Sequence, residues 1–422
     1  MEGGQQLDSA GRASTEVGRR GFLMGAAGVT GMASISMLSA CADSDNPAGV
    51  PSNSDEDQEP LTEAIVAFDG PRQAGIETPT QADMNLAGFN LKDDVDAAGV
   101  ARLMRLWTED ARELTAGRNP LSSLEPEMVE WPANLTITCG FGERIFDIAA
   151  KGKKPSWLHD IPEMDRDELE DEWGQTDLVL QICSDDPVMS AWALRHMTRA
   201  GMDYVEPAWV QQGFMNAYGS IPKGQTPRNL FGQVDGTVNP YSEEEYDEQV
   251  FAEDGSSSLV VRRIHMDLDE WERLDRTSRE EAVGRKLSDG APLTGTDEFD
   301  EPDMEAIDSY GLPVIDKNSH MARSMPPADK PEQRFKRRPY NYNLPPTPGS
   351  GQLSNAGLIF MAYQKDPDVQ FTPVLKRLDE ADRLNEWITH IGSAVYWIAP
   401  GTAPAGSSAD GRDTFWGESV LT

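Results

Sequence analysis

The sequence predicts an α+β fold made of two successive units of the same kind, and three observations carry that prediction. Short apolar runs with strand character alternate with longer amphipathic stretches. The same alternation occurs once before and once after a Gly/Asp turn near the middle of the chain. A length of 422 residues with 38% hydrophobic content is enough to bury a core in two or three domains. In chain order, strand-like runs occupy 62–68, 84–90, 134–140, 177–183 and 204–210, with helical patterns at 94–115 and 187–200. That mixture is an α+β unit of the ferredoxin-like kind. After the turn the theme returns, with strands expected at 258–265, 332–337, 357–364 and 393–398 and helices at 267–274, 276–284 and 372–378. The expected organisation is an N-terminal domain over 61–213 and a C-terminal one over 214–422.

The first sixty residues read as an address and a tether. Arg19-Arg20-Gly21-Phe22-Leu23 precedes a Gly/Ala/Ser-rich, moderately apolar run to Ala40, the pattern of a twin-arginine export signal over 1–40. The run is too thin in Leu, Ile and Phe for a membrane span. Leu38-Ser39-Ala40-Cys41 has the form of a lipobox, in which Cys41 would carry a lipid anchor, and the polar segment 41–60 then serves as a disordered tether. The twin-arginine route carries folded proteins, which suits a chain that takes up a cofactor before export. The expected location is the cell envelope, anchored to the outer face of the cytoplasmic membrane, or outside the cell.

A formal charge of −35, from 72 acidic and 37 basic residues, makes a surface that repels nucleic acid and anionic lipid headgroups. The densest acid runs, 243–245 and 297–305, read as solvated loops. Beyond Cys41 the cysteines are Cys139 and Cys183, each in an apolar strand-like run, where core packing is expected and a disulfide between neighbouring strands stays open. There is no CxxC or CxxCH, so neither an iron–sulfur cluster nor covalent haem attachment has support. No His-x-His pair or Gly-x-Gly-x-x-Gly loop points to a copper or flavin oxidase.

The most informative stretch is Phe231-Gly232-Gln233-Val234-Asp235-Gly236-Thr237-Val238-Asn239-Pro240. It sets one carboxylate in a turn between two glycines that can take positive φ, with Thr237 and Asn239 able to lock the turn through side-chain hydrogen bonds. The bland alternative is an Asp-Gly turn joining two strands.

This stretch resembles the Gly-x-x-Asp-Gly signature of the dye-decolourising peroxidases, haem enzymes whose aspartate stands on the peroxide side of the iron. Further matches follow in order: Phe68 to Ile76 with Thr78-Pro79, Gln181 to Pro187, Trp209 to Phe214, Ser319-His320-Met321-Ala322-Arg323, Arg337-Arg338-Pro339-Tyr340-Asn341-Tyr342, and Gly357 to Gln364. The resemblance implies tandem ferredoxin-like domains, with one non-covalent haem b in a cavity of the C-terminal domain. It implies His320 as the iron ligand, ahead of His159, His196, His265 and His390. Of those four, His159 and His196 read as surface residues, and His390 reads as helical. Departures from the family pattern fall at Ala322, where a basic residue is usual and Arg323 would have to supply the propionate contact, and at Pro339, where glycine is usual.

The implied chemistry needs a base and a cation on one face. Asp235 would move a proton between the oxygens of hydrogen peroxide, and an arginine would stabilise charge on the leaving oxygen. Arg337 is the choice for that arginine and Arg338 the rival. Strand neighbours point to opposite faces, so one of them enters the pocket while the other faces solvent or a propionate. Gly236, Thr237 and Asn239 would shape the haem side of the turn. Leu358 and Phe360, two apart on a strand, would form a dry lid or serve as plain core. An aspartate base works once ionised, so acidic to mildly acidic optima are expected. Trp387, Tyr396, Trp397, Tyr340 and Tyr342 are candidates for passing electrons from a bulky reducing substrate, with packing as their alternative use. Expected partners are peroxide and a reducing donor, together with iron-uptake proteins if the role is instead to release iron from haem.

Overall fold

The computed structural model describes residues 60–121, 123–404 and 411–422. The expected export signal, the lipobox and the tether up to residue 59 lie outside the described residues.

The elements in order are β1 (Asp83–Leu91), α1 (Ala97–Thr115), β2 (Thr136–Phe141), α2 (Glu143–Ala149), β3 (Leu178–Ser184), α3 (Pro187–Gly201), β4 (Val205–Phe214) and α4 (Glu243–Gln249). There follow β5 (Ser257–Met266), α5 (Leu268–Trp271), α6 (Arg276–Val283), α7 (His320–Ser324), β6 (Lys336–Arg337), β7 (Tyr340–Leu344), β8 (Asn355–Gln364), α8 (Phe371–Ala381), β9 (Ile388–Ile398) and α9 (Glu418–Leu421). The first half is an antiparallel sheet ordered β4-β1-β3-β2. The second is ordered β9-β5-β8, with β7 and β6 sharing the far edge of β8. Both are the ferredoxin-like arrangement of two βαβ halves, so the α+β expectation holds in each.

The two sheets join at narrow seams, β2 to β9 through Gly140 and Phe141, and β4 to β7 through Phe214 and Asn341. Strands buried on both faces result. Met84, Leu86, Leu259, Val261 and Ile359 pack into one core, while Ala87, Phe89, Val260 and Ala362 face the helices. Cys139 and Cys183 are free, buried and on opposite faces of the sheet, which rules out a bond between them.

Helix α1 shows how sequence selects these elements. Asp96 caps its N-terminus by accepting from the Gly99 amide. Val100, Leu103, Met104, Trp107, Ala111 and Leu114 then fall on one buried stripe. Burial of Val100, Leu103, Met104 and Leu114 contributes about 1.5–3 kcal/mol each.

Several expectations need correction. The run at 62–68 forms no strand: it pairs with no strand, and a bond from the Asn134 amide, in the segment before β2, to the Ala64 carbonyl ties it down in place of a ladder. The strand expected at 332–337 shrinks to Lys336–Arg337, where pairing with β8 begins. Glu243–Glu245 is not a loop but the first turn of α4, held by a capping box between Ser242 and Glu245 and favoured there by the helix dipole. His390 lies on β9, not on a helix. His196 is helical but buried, bonded through Nε2 to Asp110 at 2.8 Å.

Candidate functional site

A cavity opens on the outer face of the second sheet, between β5, β8 and β9 on one side and α7 and α8 on the other. Its walls are largely apolar, with Ile264, Met266, Leu358 and Phe360 from the strands and Val374, Leu375 and Leu378 from α8. Asp235, Arg337, His320, Leu358 and Phe360, all singled out from sequence, line this one space.

The Asp235 corner is built by its turn. Gly232 (φ +80°) and Gly236 (φ +138°) take conformations that side-chain-bearing residues avoid, and they fold the chain tightly around the carboxylate. Asp235 Oδ1 accepts from Arg337 Nη1 at 2.9 Å, and Oδ2 accepts from Asn229 Nδ2 at 3.2 Å. Asn229 also accepts on Oδ1 from the amides of Phe231 and Gln233, so one side chain shapes the turn and orients its acid. Asn239 holds Arg337 from behind: its Oδ1 accepts from the Arg337 amide at 2.8 Å and its Nδ2 donates to the Arg337 carbonyl at 2.9 Å. It is a positioning residue and does not line the cavity. Neither do Gly236 and Thr237, the latter donating to Glu298 at 2.8 Å.

Arg337 and Arg338 diverge as strand neighbours must. Arg337 enters the cavity. Arg338 is 0% exposed and turns to the opposite face, where it donates to Thr78 O and to Gln81 Oε1. It reaches neither solvent nor the cavity, contrary to the expectation for the second arginine. Lys336, preceding them, is pushed down to about 7 by burial and then by Arg338 and Arg337. The unfolded lysine keeps its proton up to about 10.5, so between pH 7 and 10.5 this side chain holds its proton more fully unfolded than folded, and its own contribution to stability rises with pH across that window. Lys336→Met should flatten this rise, read as unfolding midpoint against pH.

On the helical wall, His320 is the first residue of α7, whose N-cap is Ser319. His320 Nδ1 donates to Asp382 Oδ2 at 2.6 Å. Asp382, 4% exposed, is itself fixed by the Leu384 amide on Oδ1 at 2.9 Å. Burial pulls the imidazole pKa down, but the attraction and hydrogen bond of Asp382 outweigh it and leave it raised. With Nδ1 carrying the shared hydrogen, Nε2 keeps its lone pair for a metal, the arrangement usual behind metal-ligating histidines. Among the described residues no group of three or more His, Cys, Asp or Glu can hold an ion by itself. A single imidazole therefore suits a metal whose other ligands arrive with it.

Arg323 does not reach this space. It donates to Arg377 O at 2.9 Å and pairs with Glu380 at 2.8 Å, away from the cavity. Asn229, Asp382, Arg262 and Asp167 are among the lining residues that the sequence did not single out. Nothing local marks Asp382, which lies 62 residues from His320. Asn229 alone sat close enough to the Gly/Asp turn to have been suspected.

Residues 73–215 match the family description "Dyp-type peroxidase, N-terminal" and residues 226–403 match "Dyp-type peroxidase, C-terminal". A dye-decolorizing peroxidase of Thermobifida fusca is 34% identical over 90% of this chain and 94% of its own length. A deferrochelatase of Escherichia coli K12 is 33% identical over 80% of this chain and 84% of its own length. The crystal structure of a DyP-type peroxidase from Cellulomonas bogoriensis superposes with a TM-score of 0.79 at 43% identity, covering 82% of this chain and 97% of that one. The chain belongs to the Dyp-type peroxidase family. It is accordingly an oxidoreductase of the peroxidase class.

Proposed function

We propose that this chain is a haem peroxidase that reduces hydrogen peroxide and oxidises dyes, phenols or similar donors, with Asp235 and Arg337 as the acid–base pair and His320 as the iron ligand. The observation that carries this reading is the meeting of one carboxylate and one guanidinium at 2.9 Å in the same apolar cavity as an imidazole backed by Asp382. The residues present fit haem b: the walls are apolar, His320 offers one free nitrogen, and Arg262 leaves a buried donor without a partner. When bound, haem supplies the iron at which peroxide is reduced and stores the oxidising equivalents until a donor arrives.

Asp235 takes a proton from one oxygen of peroxide and returns it to the other, which leaves as water. Arg337 stabilises the negative charge that grows on that oxygen while the O–O bond breaks. Two electrons from the donor and two protons complete the conversion of both oxygens to water. Leu358 and Phe360 keep the reaction face dry, which strengthens both interactions. Arg337 fits the charge-stabilising role because Asn239 fixes its backbone and Asp235 its head.

A second reading, release of iron from haem in iron uptake, is supported by the deferrochelatases among the relatives. The two differ in product: a peroxidase given peroxide and a phenol yields oxidised phenol with its haem retained, whereas the alternative yields free iron and intact porphyrin. Assay of both products in one reaction decides between them, and iron release without donor oxidation would sink the peroxidase reading. The Arg19-Arg20 and Cys41 motifs support export by the twin-arginine route and a lipid anchor at the cell envelope. Fractionation should find the protein with membranes, and Cys41→Ser should free it.

A further inference from the structure

The cavity also holds polar groups that serve neither the Asp235 corner nor the back of His320, Arg262 among them. Arg262 on β5 is 0% exposed yet lines the cavity. Its Nη2 pairs with Asp167, its Nε donates to His390 Nδ1 at 3.1 Å, and its Nη1 has no partner. Asp167 comes from the first half of the chain. The strap that carries it is tied to β9 by bonds from the Glu168 amide to the His390 carbonyl and from the Glu170 amide to the Ile391 carbonyl.

This contact fixes the tautomer of His390. An arginine Nε–H only donates, so Nδ1 must be the accepting nitrogen and Nε2 must carry the hydrogen. Burial, Arg262 and His320 hold the ring's pKa well below its ordinary value, so it stays neutral. The cluster therefore contributes two N–H groups to the cavity wall, His390 Nε2–H and Arg262 Nη1–H. A buried N–H without an acceptor is costly; Arg262 Nη1–H is one, and with the His390 N–H beside it the wall suits an anionic acceptor on the ligand.

We infer that the Asp167–Arg262–His390 cluster is the seat for a carboxylate side chain of the haem, the role that Arg323 is turned away from filling. This rests on the haem reading above. The chemistry suits that ligand: Ile264 and Leu358 would offer apolar wall to a flat ring, and the cluster would offer donors to its acidic substituent. Asp167 neutralises the guanidinium but engages only one of its three nitrogens. Donor capacity is thus left over without a free buried charge.

The test is a titration of the cofactor-free full chain with haem and, separately, with its dimethyl ester, followed by absorbance, for the unaltered protein, His390→Leu and His390→Gln. Changing His390 leaves the buried Arg262–Asp167 pair in place, and Gln keeps an N–H donor. We expect His390→Leu to weaken haem binding about 10- to 100-fold, as loss of a hydrogen bond to a charged group does. Gln should recover most of the loss, and neither variant should change affinity for the ester. Equal haem affinity in all three proteins would overturn the inference, as would an equal loss for haem and ester, which would indicate packing alone. Failure of the unaltered protein to bind haem would instead remove the haem reading, and this inference with it.

Discussion

Asp235→Ala will slow peroxide-dependent oxidation of a phenol by roughly 10²–10⁴-fold, the contribution typical of a positioned acid–base group, while leaving haem bound. The reason is geometric. Asp235 is the one carboxylate of its turn, Arg337 and Asn229 occupy one oxygen each, and no neighbouring acid stands ready to replace it at that corner. Alanine removes the proton carrier without touching His320 or the apolar walls, so the loss should appear in the reaction with peroxide and not in the haem spectrum. Asp235→Asn, which keeps the hydrogen-bonding shape but cannot accept the proton, should fall nearly as far. Steady-state rates against peroxide concentration check this. A variant within a few-fold of the unaltered protein would assign the proton transfer to another group.

His320→Ala will weaken haem binding by at least 10–100-fold and alter the spectrum of any haem that remains, since the cavity holds no second imidazole placed to replace it. His390 shares the cavity, but its Nδ1 accepts from Arg262 and its Nε2 carries the hydrogen, so it has no lone pair to offer. Asp382→Asn should cost up to about 10–100-fold and no more than His320→Ala, the loss typical of removing the group that orients a ligating histidine. Asparagine can still contact Nδ1, but it no longer enforces the tautomer that leaves Nε2 free. Absorbance titrations with haem measure both, and added imidazole should restore a nitrogen-ligated spectrum to His320→Ala. If His320→Ala binds haem with unchanged affinity and spectrum, the iron has another ligand.

Much of the fold was legible because its strongest signals are local. The stripe of α1 and the apolar runs of β1, β3, β5 and β8 state their periods plainly, and the structure shifts their ends by only a few residues. Where reading failed, the deciding interaction was distant. The run at 62–68 has strand composition but pairs with no strand. His390 reads as helical before Ile391-Gly392, and only its pairing with Ile264 shows that it lies on β9.

The candidate site divides in the same way. Asp235 announces itself through its glycines, and His320, Arg337, Leu358 and Phe360 follow from motif order. The choice between Arg337 and Arg338 needed the facing of β6, and Arg323 was misplaced because its partners, Arg377 and Glu380, lie on α8 more than fifty residues away. The residues that complete the cavity, Asp382 and the Asp167–Arg262–His390 cluster, are brought together from three separate parts of the chain, so no local spacing marks them. Likewise, four of the five aromatic residues considered for electron transfer are buried, Trp387 being the half-buried exception.

A haem in this cavity at which peroxide is reduced would report itself by its colour. The most direct test is a stopped-flow absorbance record of the haem-loaded protein mixed with hydrogen peroxide. A spectral change whose rate rises in proportion to peroxide concentration, and which a phenol reverses with the haem intact, is the predicted result. A spectrum indifferent to peroxide, or one that decays to iron-free porphyrin without oxidising the phenol, would contradict it.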